Sequence, residues 1–214
     1  FFILYTLNLQ MYPSAKKIFF LFFFILLVFS CTKEKKNSNT KPISIPQNDS
    51  ISYYINHSRN SNITKAEQKK LLSKSLQLIH SLPNDSLKIK YLAPLSYRSV
   101  TLGDSLFFRK VNKLASTLAK KNYDSVALAE AKWDLGIFLN KSQLKDSTFF
   151  YYNEALNIYS RLNEKSKIGY LLYNIATVQT AIGDFSGAEI SNIKALEIFK
   201  LLNDLSGLYY CYNS

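Results

Sequence analysis

GYLLYNIATVQTAIGDFSGAEISNIKALEIFKLLNDLSGL, residues 169–208, is the stretch that decides the fold. Set beneath the 40 residues before it, Ala129–Ile168, it matches them in several fixed columns. The windows Ile89–Leu128 and, more faintly, Asp49–Lys88 extend the register backwards. A column of small residues holds Ser96, Gly136 and Ala176, preceded by Leu95, Leu135 and Ile175. Nineteen positions on stand Ala115, Ala155 and Ala195, and three beyond those Leu118, Ile158 and Ile198. A fixed period in this range is the signature of a solenoid, in which each unit buries its apolar face against its neighbours. The small columns have a steric purpose, because two helices pack closely only where short side chains let the backbones approach. A large side chain at Ala155 or Ala195 would overpack that contact, at about 1–3 kcal/mol.

The units are helical. From Asp49 onward Gly and Pro are sparse and apolar residues recur at three- and four-residue steps. Helices are predicted over 50–59, 65–81, 85–102, 105–121, 125–141, 145–162, 166–182 and 185–202, with a last one from Ser206. Thr64-Lys65-Ala66-Glu67 reads as a capping box, and Thr64, Asp104 and Asp184 share one helix-start column. Asp85, Asp104, Asp124 and Asp184 are each expected to cap the helix that follows. Gly103-Asp104 and Gly183-Asp184 put a flexible residue just before a cap, which suits a tight turn between antiparallel helices. Pro94 falls inside the third helix, so a bend or a restart is expected there. Ile168, Leu172, Ile175, Ala176 and Ile182 mark one apolar face of the seventh helix. Phe185, Ala188, Ala195, Leu196, Phe199 and Leu202 mark that of the eighth.

Ahead of the array the composition changes. Residues 1–10 precede the first Met, Met11, and read as upstream translation or a fragment artefact. Lys16 and Lys17 then lead into the apolar run Ile18–Phe29, so that 11–30 reads as an export signal. An uncleaved membrane anchor is the alternative reading of that run, though it is short for a span. Residues 31–48 are polar, with Pro42 and Pro46 and no apolar period, and read as a flexible tether.

The formal charge is +12, from 27 Lys+Arg against 15 Asp+Glu. Removing the signal, with Lys16, Lys17 and no acid, lowers it by two. Such a balance can indicate nucleic acid. Here the lysines are scattered along helices and an exported chain would not meet DNA, so no nucleic-acid partner is expected. Lys33, Lys35 and Lys36 could rest on anionic headgroups or simply solvate the tether. Neither His57 nor His80 has a partner at metal-ligand spacing, and no Gly-rich phosphate loop occurs among six glycines. The Asp-Ser pairs at 85, 104, 124 and 146 fall at helix starts, where capping explains them better than acid–nucleophile chemistry. No catalytic residue, cofactor or metal site is therefore expected. Cys211, within an apolar helical stretch, reads as a small buried hydrophobe.

Two resemblances sharpen this. Val28-Phe29-Ser30-Cys31 resembles a bacterial lipobox. It implies cleavage before Cys31, lipidation of that residue, and a cell-envelope protein anchored by lipid and facing the periplasm. The repeat columns resemble the tetratricopeptide repeat (TPR). Leu135-Gly136 matches that family's first pair, and Ile175-Ala176, Gly183, Phe185, Ala188 and Ala195 match the set in the last window. Elsewhere the chain departs from the pattern. Gln143 replaces the turn Gly, Lys145 the aromatic and Thr148 the first Ala; Phe108 replaces that Ala one window earlier. Trp133 lies three residues before Gly136 rather than four, and the period is 40 rather than the usual 34. The resemblance implies an all-α, right-handed superhelical solenoid of antiparallel helix pairs over 49–214. The leader, tether and long repeats together resemble the N-terminal region of bacterial TPR-containing sensor histidine kinases. The kinase part is missing, and the chain reads as truncated within a helix.

In that family the first helix of each unit lines a concave groove. The matching columns hold Tyr97 with Ile137, then Ala93, Trp133 and Tyr173, then Lys90, Glu130 and Tyr170. Tyr97, Trp133, Tyr170 and Tyr173 are accordingly the candidate groove residues, for a protein or peptide ligand. Ordinary packing between units is the competing reading. The function expected is a non-catalytic interaction scaffold, the membrane-anchored sensory region of a two-component kinase. The alternative is a free-standing TPR lipoprotein that assembles an envelope complex.

Overall fold

A computed structural model describes residues 47–214. The leader, most of the tether and Cys31 lie outside the described residues, and with them the expectations of a signal and a lipid anchor. The described chain forms α1 (Gln47–His57), α2 (Lys65–His80), α3 (Asp85–Leu102), α4 (Ser105–Lys121) and α5 (Ser125–Lys141). It continues through α6 (Lys145–Arg161), α7 (Lys165–Ala181), α8 (Phe185–Leu202) and α9 (Leu205–Tyr212). There is no strand among the described residues. Each helix packs on the next, and the substantial contacts two helices apart join α1 to α3, α3 to α5 and α7 to α9. Consecutive helices packed in order, with first helices of neighbouring units touching at these three places, are the architecture of an all-α helical-repeat solenoid.

The starts of the helices keep strict time. N-caps fall at Thr64, Asn84, Asp104, Asp124, Leu144, Glu164, Asp184 and Asp204, one every 20 residues. From Gly103 onward the residue before each cap has a left-handed backbone: Gly103, Tyr123, Gln143, Asn163, Gly183 and Asn203, with φ from 53° to 85°. The cap amide then donates to a carbonyl five residues back, as Asp124 does to Ala119 (2.9 Å), Glu164 to Tyr159 (3.0 Å) and Asp204 to Phe199 (2.9 Å). That turn satisfies carbonyls the helix end would leave open and reverses the chain in three residues. Gln143 therefore performs the turn that the sequence pattern assigns to glycine.

Several local expectations need correction. Asn84, not Asp85, caps α3: its side chain accepts from the Leu87 amide (2.9 Å). Asp85 lies one residue inside the helix and instead pairs with Lys121 (2.9 Å). Pro94 does not interrupt α3, which is a single element. Packing against α2 and α4 outweighs the lost hydrogen bond. Helix α1 begins at Gln47, within the segment read as tether. Ile182, Phe185 and Leu202 are exposed rather than buried, because they sit at the hairpin turns, beyond the packed faces.

The small columns are buried. Ser96, Ala176, Ala155 and Ala195 are at most 3 % exposed, Ala115 is 8 %, and Gly136 is buried. A methyl group on Gly136 would stand 2.5 Å from the Tyr152 ring of α6, so only glycine admits that ring. Tyr159 and Phe199 occupy the same repeat position and are both fully buried. Phe199 lies so close to Gly169 and Gly207 that a Cβ at either would meet it within 3 Å. Buried Asn112 donates across its hairpin to the Ala131 carbonyl (2.8 Å). Asn192, two units later, does the same to Cys211 (3.0 Å). Cys211 is itself buried, and desolvation raises its thiol.

Two stability outcomes follow. Leu144 is half-exposed and supplies no cap bond, so Leu144→Asp should stabilise the protein by about 1 kcal/mol in urea denaturation. The Tyr159 hydroxyl is buried with no partner, whereas its counterpart is a phenyl ring. Tyr159→Phe should therefore be neutral or stabilising by about 1 kcal/mol, and a marked loss of stability would reveal a hidden partner for that hydroxyl.

Candidate functional site

A cleft of about 340 Å³ crosses three successive first helices. Helix α3 contributes Ala93, Pro94 and Tyr97; helix α5 contributes Glu130, Trp133, Asp134 and Ile137; helix α7 contributes Lys167. The spacing explains the grouping. Glu130, Trp133, Asp134 and Ile137 stand three and four residues apart and so share one side of α5. Ala93 and Tyr97 do the same on α3.

The four aromatic candidates divide into two places. Tyr97, 47 % exposed, and half-buried Trp133 line this cleft together. Trp133 also leans edge-on against Tyr159 (6.3 Å between ring centres), and its indole N–H is buried without an acceptor. Tyr170 and Tyr173 belong to a separate cluster near α9. The Tyr170 hydroxyl donates to Asp204 (2.9 Å), and its ring meets Phe199 edge-on at 4.8 Å. Burial and the Asp204 carboxylate push that phenol up to about 12. Tyr173 tilts against Tyr210 (5.5 Å) and lines a different cleft with Phe185 and Asn192. Tyr170 thus holds α7 to the turn before α9, while Tyr97 and Trp133 face open space.

The electrostatics of the first cleft centre on a residue that sequence reasoning passed over. Asp134 is only 8 % exposed, and no Lys, Arg or His among the described residues forms an ion pair with it. Burial pushes its carboxyl up to about 7. The Ser96 hydroxyl beside it opposes that rise but makes no hydrogen bond of normal geometry. Glu130 adds to the rise and Lys167 weakens it. Lys167 is committed elsewhere: it pairs with Glu130 (3.2 Å) and lies over the Trp133 ring (5.8 Å). Lys132, on the same helix, pairs with Glu154. The one signal in the sequence was an acid set between Trp133 and Leu135, beside the small Gly136 column.

The physical sign of Asp134 is clear. Its pKa is raised from an unfolded value near 4, so its favourable contribution is complete below pH 4 and is lost as the pH rises to 7. Above that the ionised carboxylate opposes folding by up to about 4 kcal/mol. Asp134→Asn, neutral throughout, should match the wild type at pH 4 and gain on it steadily up to pH 7. The gain should then level off, read by urea denaturation at each pH. A difference independent of pH would show that the carboxyl is neither buried nor shifted as described.

No protein-family model matches the chain, and no curated protein matches it in sequence. Its fold is shared with a known protein, the crystal structure of BtubC (BKLC) from P. vanneervenii. The TM-score is 0.56 over 78 % of this chain and 87 % of that one, at 14 % identity. At that identity the likeness extends to the helical-repeat fold.

Proposed function

We propose that the chain is a TPR-type interaction scaffold that holds a protein or peptide segment in the cleft spanned by α3, α5 and α7. One observation carries this reading. Successive first helices leave an aromatic-walled opening, in which Tyr97 is half-exposed and Trp133 is within reach. Aromatic side chains in a concave site bury large areas on binding at small entropic cost, which is why they dominate interfaces. The proposal places the scaffold at the cell envelope through lipidated Cys31, as the sensory region of a two-component kinase. The basic and apolar leader ahead of the Val28-Phe29-Ser30-Cys31 junction supports the anchor.

The cleft is tested by selecting a displayed random peptide library on the full chain. Peptides that bind should lose about tenfold in affinity on Tyr97→Ala. The melting temperature should be unchanged, since this side chain is half in solvent. Failure to select any peptide, or equal affinity for the variant, would overturn the assignment. Palmitate labelling of cells with and without Cys31→Ala tests the anchor, and equal labelling removes it. Reading the gene beyond Ser214 tests the kinase: an apolar run of about 20 residues followed by a kinase signature is the expected outcome.

A further inference from the structure

The chemistry of the cleft is more specific than a hydrophobic groove. Its α3 wall and part of α5 are apolar, formed by Ala93, Pro94 and Ile137. Trp133 and Tyr97 supply aromatic walls, and Glu130 and Asp134 supply two carboxyl groups against the single ammonium of Lys167. Lys167 neutralises Glu130, which leaves Asp134 buried, lining the opening, with no ion-pair partner of its own. This anionic character is local, because the chain as a whole is strongly basic. A group that lies along an apolar wall and ends in a positive charge fits such a place. The stem of a lysine or arginine does the first, and its head does the second.

Resting on the groove reading above, we infer that the cleft is a subsite for a long cationic side chain, lysine or arginine, of a peptide or protein partner. Asp134 is its buried counter-charge and Trp133 its aromatic wall. Lys167 already shows what the site attracts, since this chain's own ammonium is drawn to Glu130 and to the Trp133 face. Its side chain is 41 % exposed and the pair is solvent-screened, so an arriving cation can displace it. The volume is at the lower end of the ~300–1,000 Å³ typical of small-ligand pockets, which suits one side chain rather than a folded element.

The groups that act on Asp134 come from each neighbouring helix: Ser96 from α3, Glu130 from its own α5, and Lys167 from α7. Burial raises the phenols of Tyr152 and Tyr159 on α6, and the Asp134 charge adds to that rise in both. A bound cation favours the ionised carboxylate. Affinity should therefore climb as the pH rises from 5 to 7 and flatten above.

Trp133 is the only tryptophan of the chain, so its emission reports on this cleft alone. The probes are acetyl-Leu-Lys-Leu-amide and its norleucine and glutamate counterparts, titrated into the full chain in detergent. The lysine peptide should shift the emission saturably, with the other two about tenfold weaker or more. Asp134→Asn should abolish both the preference and its pH dependence, with circular dichroism confirming the fold. Glu130→Gln, at a partly exposed position, should weaken the lysine peptide several-fold. Lys167→Met, which removes the competing ammonium, should tighten it. Equal binding of the norleucine peptide, or weaker lysine binding in Lys167→Met, would overturn the inference. If library-selected peptides shift Trp133 emission without any preference for a cation, only this inference falls. If no peptide shifts it, the groove reading falls as well.

Discussion

One backbone hydrogen bond, repeated, sets the form of this protein. At each turn from Gly103 to Asn203 a left-handed residue lets the next amide reach the carbonyl five positions behind it. The bond closes one helix and aims the next, and it recurs every 20 residues. From α3 to α8 the helices therefore have nearly equal length, 17 or 18 residues. Equal length keeps each small residue opposite the ring it must admit, such as Gly136 under Tyr152 and Gly169 under Phe199. It also stacks α3, α5 and α7 so that side chains from three units meet in one cleft. Without a uniform turn, neither the core nor the opening would stay in register.

The all-helical repeat was legible because its signals are local. Apolar steps of three and four, a capping box at Thr64 and acids before α4, α5 and α8 give the helix limits to within a few residues. The half-period was hidden because only two of the left-handed positions are glycines. Tyr123, Gln143 and Asn163 perform the same turn without a compositional mark. Asn84 and Asp85 are adjacent and both suited to capping, so sequence alone favoured the wrong one.

The site was legible in part. Column matching put Tyr97 and Trp133 on first helices, and the structure brings them to one opening. The same columns could not tell that Tyr170 is occupied by Asp204 and Phe199, because those partners come from the following hairpin. Asp134 was missed for a different reason. Its importance lies in burial without an ion-pair partner, and burial of one acid in a helix is invisible until its neighbours are placed. A charge at such a position opposes folding.

The uniform turn carries a further consequence for how such a chain can change over time. Because the joints from Gly103 onward are the same in geometry, a two-helix module there can be duplicated or excised at the genetic level and the flanking modules will still dock. Growth is thus quantised. Gains or losses of 40 residues preserve the architecture, whereas a shift of one residue inside a helix rotates every later side chain by about 100° and unseats the interface beyond it.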